Sequence, residues 1–321
     1  MTTQPMRSVR VAARRQETQD IVSFDLADPT GAPLPAFTAG AHIDIEAAPG
    51  IIRQYSLLND PAERHRYQVG ILKDSTSRGG SVAMHAIQPG DMLRIAGPRN
   101  HFELYAGAHE TLLLAGGIGI TPLLCMARQL HRAGQAFALH YCVRSAAHAA
   151  FLDELRGTPF AGNVHIHMDD GAAEQRLNLN AVLAAHTPDT HIYVCGPGGF
   201  MTWCIETASA SGVADARIHR EYFKATPAPG AADAVFEVQL ASSGAVFKVP
   251  ANTSILQVLR ENGVNLPASC ETGVCGTCLT GVLSGVPEHR DMYLTKEERA
   301  AGDVILPCCS RAACGLLVLD I

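Results

Sequence analysis

No stretch of this 321-residue chain reaches the ~18 consecutive apolar residues of a membrane-spanning helix. The most apolar segment, Thr111 to Ala127, is broken by three glycines, two threonines and a proline. There is no basic surplus either. Lys and Arg number 25 against 31 Asp and Glu, the net charge is −6, and the basic residues are dispersed. Nucleic acid and membrane are therefore not expected as partners. The opening residues, MTTQPMRSVRVAARRQ, carry charge with no apolar core behind it, so no secretory signal is expected. Neither G-x-S-x-G nor H-E-x-x-H occurs, which leaves hydrolase readings without support. No internal repeat is found. A core is not lacking: 47% hydrophobic and 17% charged residues make an ordinary globular balance, too apolar for a disordered chain.

Cysteine is plentiful, with ten in all, six of them after residue 269. Without an export signal, free thiols or a metal site in a cytoplasmic protein are expected rather than disulfides. The segment ASCETGVCGTCL places Cys270, Cys275 and Cys278 as C-x4-C-x2-C, and Cys308 follows after 29 intervening residues. This is plant-type [2Fe–2S] spacing. Two irons need four converging thiolates and a loop that wraps closely round the sulfides. Gly273 and Gly276 let the backbone turn there, so that amide N–H groups can point at sulfur. A structural zinc site also takes four cysteines, but such sites usually pair two C-x2-C knuckles and only one is present. Cys309 is the rival fourth ligand by spacing, and Cys314 reads as packing or surface.

Three segments separate along the chain. Residues 1–105 hold short apolar runs, Ile21–Leu26, Ile43–Ile45, Arg66–Leu72 and Met92–Ile95, punctuated by Pro and Gly. That pattern suggests a barrel or sandwich. Residues 106–224 alternate strands (Thr111–Ala115, Phe137–Val143, Val164–His167, His191–Cys195) with helical stretches, which implies a parallel sheet. Residues 225–234, ATPAPGAADA, read as a linker. Residues 235–321 begin with a hairpin signature at Ser242-Ser243-Gly244 and a helix over Ser254–Asn262. Thr295-x-x-Glu298 fits a capping box. His165 and His167 lie at i, i+2 on one strand with no ligand partner close in sequence.

CETGVCGTCLTGVLSGVPEHRDMYLT followed by LPCCSRA resembles the C-terminal ferredoxin domain of the phthalate dioxygenase reductase family, the flavin and iron–sulfur reductases of Rieske oxygenase systems. The family order of flavin, nicotinamide and ferredoxin domains matches the three segments over essentially the whole chain. The resemblance implies a multidomain fold: an antiparallel β-barrel flavin domain, an α/β parallel-sheet nicotinamide domain and an α+β plant-type ferredoxin domain.

Arg53-Gln54-Tyr55-Ser56-Leu57 resembles the flavin motif R-x-Y-S-L of the wider ferredoxin reductase superfamily. A guanidinium at Arg53 suits a phosphate, Tyr55 offers a ring to the isoalloxazine, and Ser56 can hydrogen-bond near flavin N5. Leu72, Lys73 and Arg78-Gly79-Gly80-Ser81 resemble the second flavin segment, whose glycines and hydroxyl allow close approach to phosphate. The resemblance also implies FMN as the flavin. Gly116-Gly117-Ile118-Gly119-Ile120-Thr121-Pro122 joins a strand to a helix and departs from G-x-G-x-x-G. Bare backbone there still suits a dinucleotide phosphate, with Thr121 expected as N-cap and Pro122 as first helical residue. In the resembled family this threonine lies near the flavin.

Cys195-Gly196-Pro197-Gly198-Gly199-Phe200-Met201 resembles the family's C-G-P motif, whose cysteine sits beside the nicotinamide. Glu221-Tyr222-Phe223 resembles the end of that domain, where an aromatic stacks by the flavin; Phe223 is the best match and Tyr222 the reserve. Asp169 and Asp170 follow a strand, where an acid accepts from ribose hydroxyls and repels a 2′-phosphate, favouring NADH. A solvated loop carboxylate is the alternative. Hydride carries two electrons and a [2Fe–2S] cluster accepts one, so a flavin between them divides the pair. The expected activity is a relay from NADH through FMN and the cluster to a Rieske-type oxygenase of phthalate type. A vanillate-type O-demethylase reductase is the nearest alternative, and a redox-sensing flavin and iron–sulfur binding protein the alternative of another class.

Overall fold

The computed structural model describes residues 6–77, 79–187, 189–224 and 234–321. Arg78 and residues 225–233 of the expected linker lie outside them. The chain forms two compact units, the first ending at Glu221 and the second beginning at Tyr222.

The first unit opens with six antiparallel strands: β1 (Arg7–Gln16), β2 (Ile21–Ala27), β3 (Ala41–Ala48), β4 (Ile51–Ser56), β5 (Tyr67–Leu72) and β6 (Met92–Asn100). Their order is β4-β3-β6-β1-β2-β5. The sheet curls until its edge regions meet in a bridge between Leu57 and Val69. Val9, Val11, Phe24, Leu26, Ile43, Ile45, Val69, Ile71 and Ile95 fill the interior, all without exposure. β1 was not expected from sequence, although Val9 and Val11 alternate with exposed neighbours as a half-buried strand requires. A short helix, α1 (Gly80–Ala86), follows β5.

Five parallel strands complete this unit: β7 (Glu110–Gly116), β8 (Ala136–Val143), β9 (Val164–Met168), β10 (His191–Cys195) and β11 (Ile218–Glu221). They alternate with α2 (Ile120–Arg132), α3 (Leu152–Gly157), α4 (Leu179–Ala185) and α5 (Gly198–Ala210). The order β11-β10-β7-β8-β9 reverses direction between β7 and β10. Ligands of open α/β sheets bind in the crevice at the carboxyl ends of such a pair. α2 is buried on nearly all sides from Ile120 to Ala127, because it lies between the parallel sheet and the barrel. Its barrel side is tied down by Cys125 Sγ donating to Asn59 O at 3.1 Å and by Ala39 N donating to Gln129 Oε1 at 3.1 Å.

The expected N-cap of α2 is corrected. Gly119 precedes the helix, Ile120 begins it, and Thr121 and Pro122 fall inside the first turn. A tight turn over Gly117–Gly119 already winds the chain into the helix, so the Thr121 hydroxyl donates back to Ile118 O at 3.1 Å instead of capping.

The second unit contains β12 (Phe236–Leu240), β13 (Val246–Val249), α6 (Ile255–Glu261), β14 (Thr280–Ser284), β15 (Pro287–Glu288), α7 (Lys296–Ala301), β16 (Val304–Ile305), β17 (Arg311–Ala312) and β18 (Leu316–Leu319). Its main sheet runs β13-β12-β18-β14-β16, with β12 and β18 parallel. Ile255, Val258 and Leu259 of α6 close a core with Phe236, Val238, Val282, Leu317 and Leu319. Ser254 caps α6 through Gln257 N. The capping box forms as expected, with Glu298 N donating to Thr295 Oγ1 at 3.1 Å and Thr295 N to Glu298 Oε2 at 2.8 Å.

Candidate functional site

The two segments expected to hold flavin come together. β4 carries Arg53, Gln54, Tyr55 and Ser56, and a Cβ at Gly80 would lie 2.6 Å from Arg53 Cγ. Gly79, at φ +92°, turns the chain into α1 beside β4. Ser81 Oγ accepts from Asp74 N at 3.1 Å, which pins the intervening loop. Leu72 and Lys73 leave the end of β5 exposed to solvent. Gln54 Nε2 is buried with no protein partner, an orphaned donor on the motif strand. Such a group costs stability unless something accepts from it. Burial raises the Tyr55 phenol above its ordinary range. These features fit a bound flavin: a cation in a glycine cradle, an aromatic ring and an unused donor.

The nicotinamide motifs meet at the switch point. β10 pairs with β7 and β11, aligning Cys195 with Ala115 on one side and Glu221 on the other. A Cβ at Gly119 would meet Cys195 O at 2.2 Å, so only glycine lets the two turns touch. Gly116 and Gly117 (φ +52°) complete the first turn, and Gly196 and Pro197 the second. Thr121 is buried, and its methyl lies where a Cβ on Gly70 of β5 would be 2.9 Å away, so the helix start abuts the barrel.

Glu221 joins this group, although sequence reasoning left it out of the expected site. Ser56 Oγ donates to its Oε2 at 3.2 Å, across 165 residues of sequence. Burial pushes its carboxyl up to about 8, and the Ser56 hydrogen bond opposes that rise only in part. Burial, with the Glu221 charge adding, lifts the Cys195 thiol well above its ordinary value. The thiol is therefore neutral, as expected for a residue that packs rather than attacks. Tyr222 and Phe223 follow β11 directly and are half-buried. Asp169 and Asp170 directly follow the edge strand β9 and are exposed.

In the second unit the four cysteines form two pairs. The Cys275 contact, the largest cause, holds the Cys270 thiol down to about 5. Contacts with Cys278 and then Cys309 push Cys308 far up. Thr272 N and Thr277 N donate to Cys270 Sγ and Cys275 Sγ, each at 3.4 Å. Amides thus point at sulfur, as the glycine spacing led one to expect. Gly276, at φ +68°, lies so close to the Tyr293 ring that a Cβ would come within 2.2 Å. Cys309 Sγ lies where a Gly273 Cβ would be 2.4 Å away, and it also contacts Cys308. Among the described residues no three or more His, Cys, Asp or Glu converge on one metal-ion position. Two thiol pairs suit a binuclear cluster better than a single tetrahedral zinc. Cys314 Sγ accepts from Val286 N at 3.1 Å and belongs to packing.

His140 supplies a neighbour for His165 and His167 that sequence spacing did not show. Its Nδ1 lies 2.9 Å from His167 Nε2, and its ring stacks on His165 at 4.7 Å. Burial lowers His140 to about 3 and lowers His167 too, so His140 packs as an uncharged ring.

Comparison with known proteins gives the family. The family described as 2Fe-2S iron-sulfur cluster binding domain matches residues 238–313, which include all four cysteines. The N-terminal domain of dimethylamine monooxygenase subunit DmmA-like proteins matches residues 96–218. A vanillate O-demethylase oxidoreductase of Pseudomonas putida is 52% identical, over 97% of this chain and 98% of its own. A phthalate dioxygenase reductase of Burkholderia cepacia is 41% identical, over 98% and 97%. A solved phthalate dioxygenase reductase, described as a modular structure for electron transfer from pyridine nucleotides to [2Fe–2S], superimposes with a TM-score of 0.78. It is 40% identical, and the match covers 98% of both chains. No described helix is long and apolar enough to cross a membrane. With its curled antiparallel sheet, parallel-sheet layer and iron–sulfur domain in one chain, this protein is an electron-transfer oxidoreductase and belongs to the family of phthalate dioxygenase reductase and vanillate O-demethylase oxidoreductase.

Proposed function

We propose that this chain takes hydride from NADH onto FMN and passes electrons singly through its cluster to a Rieske-type terminal oxygenase in the cytoplasm. The observation that carries the reading is the convergence of Ser56, Glu221 and Cys195 at the carboxyl ends of the switch strands. A flavin held there would supply the exchange between two-electron and one-electron transfer. Arg53 and Gly80 would hold its phosphate, with Gly79, Ser81 and Lys73 nearby and Arg78 assigned by motif alone. Gln54 would donate to the flavin ring, Tyr55 and, by motif, Phe223 would offer it aromatic surface, and Ser56 would hydrogen-bond near N5. Cys195 keeps the nicotinamide side dry. The glycine turns at Gly116, Gly117, Gly119 and Gly196 take the dinucleotide backbone.

From β10 to β9 is three strand spacings, about 14 Å. An extended dinucleotide can therefore run from Cys195 to Asp169 and Asp170, whose carboxylates favour free ribose hydroxyls. Cys270, Cys275, Cys278 and Cys308 hold the cluster. The three-part division at residues 105 and 224, with a linker over 225–234, accompanies this reading.

For the partner, 52% identity to a vanillate O-demethylase oxidoreductase against 41% to a phthalate dioxygenase reductase favours the vanillate type. The test supplies the loaded full chain and NADH to a vanillate-type and a phthalate-type terminal oxygenase. Faster turnover of the vanillate type is expected. Turnover of neither, while a small one-electron acceptor is reduced, would reject the partner class.

A further inference from the structure

The residue after the first cluster cysteine, Glu271, stands at φ +53°, in the left-handed region that side chains other than glycine rarely enter. The turn it makes brings Thr272 N onto Cys270 Sγ at 3.4 Å. The Glu271 carboxylate meets Arg260 in the last turn of α6, whose Nη2 donates to Oε1 at 2.9 Å. The same helix grips the other ligand segment. Leu256 N donates to Pro307 O at 2.9 Å, one residue before Cys308, and the Leu256 side chain packs with Cys278 and Cys308. α6 therefore ties together both ligand-bearing segments. The Arg260 and Glu271 side chains are 53% and 30% exposed, and an ion pair in such a place adds little stability. Fold stability does not account for a strained residue held in this way, and strain of this kind concentrates at functional sites.

We propose that Arg260 and Glu271 are positioning residues that set the reduction potential of the cluster through opposite charges placed beside Cys270. The inference rests on the assignment of Cys270, Cys275, Cys278 and Cys308 as cluster ligands above. Reduction adds one negative charge to the cluster, so a neighbouring carboxylate opposes it and a neighbouring guanidinium favours it. As a pair the two charges largely cancel, and either one alone does not. The left-handed turn presents Glu271 to Arg260, and the ion pair in return keeps the Thr272 amide aimed at sulfur.

The experiment titrates the loaded full chain with dithionite at controlled potential and follows the low-temperature electron paramagnetic resonance of the reduced cluster. Arg260→Gln should lower the midpoint potential, Glu271→Gln should raise it, and the double variant should return close to the unaltered chain. Each single change should alter the ratio of reduced to oxidised cluster at a fixed potential about three- to tenfold, tenfold being about 59 mV for one electron. Arg260→Lys, which keeps the charge, should hold the potential near its unaltered value. Iron and sulfide content should stay full throughout. Shifts of the same sign in both single variants would assign the effect to a loosened loop and overturn the proposal. So would unmoved potentials, or loss of iron and sulfide from either variant. An unaltered chain that gives no [2Fe–2S] signal after dithionite would instead reject the ligand assignment beneath it.

Discussion

A carboxyl group is costly to bury as an anion, and Glu221 meets that cost by staying protonated. Its folded value of about 8 lies above the ordinary carboxyl value of about 4.3. Between those values the folded chain holds a proton that the unfolded chain has released. Stability from this group is full below about pH 4, falls as pH rises, and is lost through about pH 8. Glu221→Gln mimics the protonated form and removes the slope. Melting temperatures of both proteins from pH 5 to 9 should diverge with rising pH, the variant becoming relatively more stable; parallel curves would contradict the burial argument. Cys308→Ser should lose iron and sulfide, while Cys309→Ser keeps both, because Cys308 completes the plant-type spacing and contacts Cys278. Iron and sulfide analysis decides it. The cysteine spacing was legible because ligands near in sequence must be near in space. Glu221 was not, since its role comes from strand register beside Cys195 and a partner 165 residues away.

At the scale of elements, turn chemistry translated well where it is local. The capping box at Thr295 and the cap at Ser254 needed only their own residues. The start of α2 did not, because Thr121 spends its hydroxyl on Ile118 O once the Gly117–Gly119 turn has wound the chain early. β1 was hidden by its arginines, of which Arg7, Arg10 and Arg15 are exposed and Arg10 separates Val9 from Val11. The junction of the two switch-point turns yields a prediction. Gly119→Ala sets a methyl against the Cys195 carbonyl, and main chain cannot rotate away as a side chain can. Overpacking of this kind costs about 1–3 kcal/mol. A lower melting temperature and a raised KM for NADH are expected, while iron and sulfide content should be unchanged because the cluster belongs to the other unit. An unaltered KM would mean that the turns do not hold the dinucleotide.

Over the whole molecule, alternation of strands and helices announced the parallel sheet, and Pro and Gly punctuation the curled antiparallel one. Sheet order was not legible, since nothing local says that β10 lies beside β7. That order creates the crevice and brings Cys195 next to Glu221 and Ser56. The iron–sulfur unit has its own core of β12, β18 and α6 and begins after the first unit ends at Glu221. The central claim is that one chain converts a two-electron donor into single-electron delivery. Its most direct test is anaerobic addition of NADH to the loaded full chain, followed by visible absorbance and low-temperature electron paramagnetic resonance. The account predicts loss of flavin absorbance together with the signal of a reduced [2Fe–2S] cluster. A bleached flavin beside a cluster that stays oxidised, yet responds to dithionite, would contradict it.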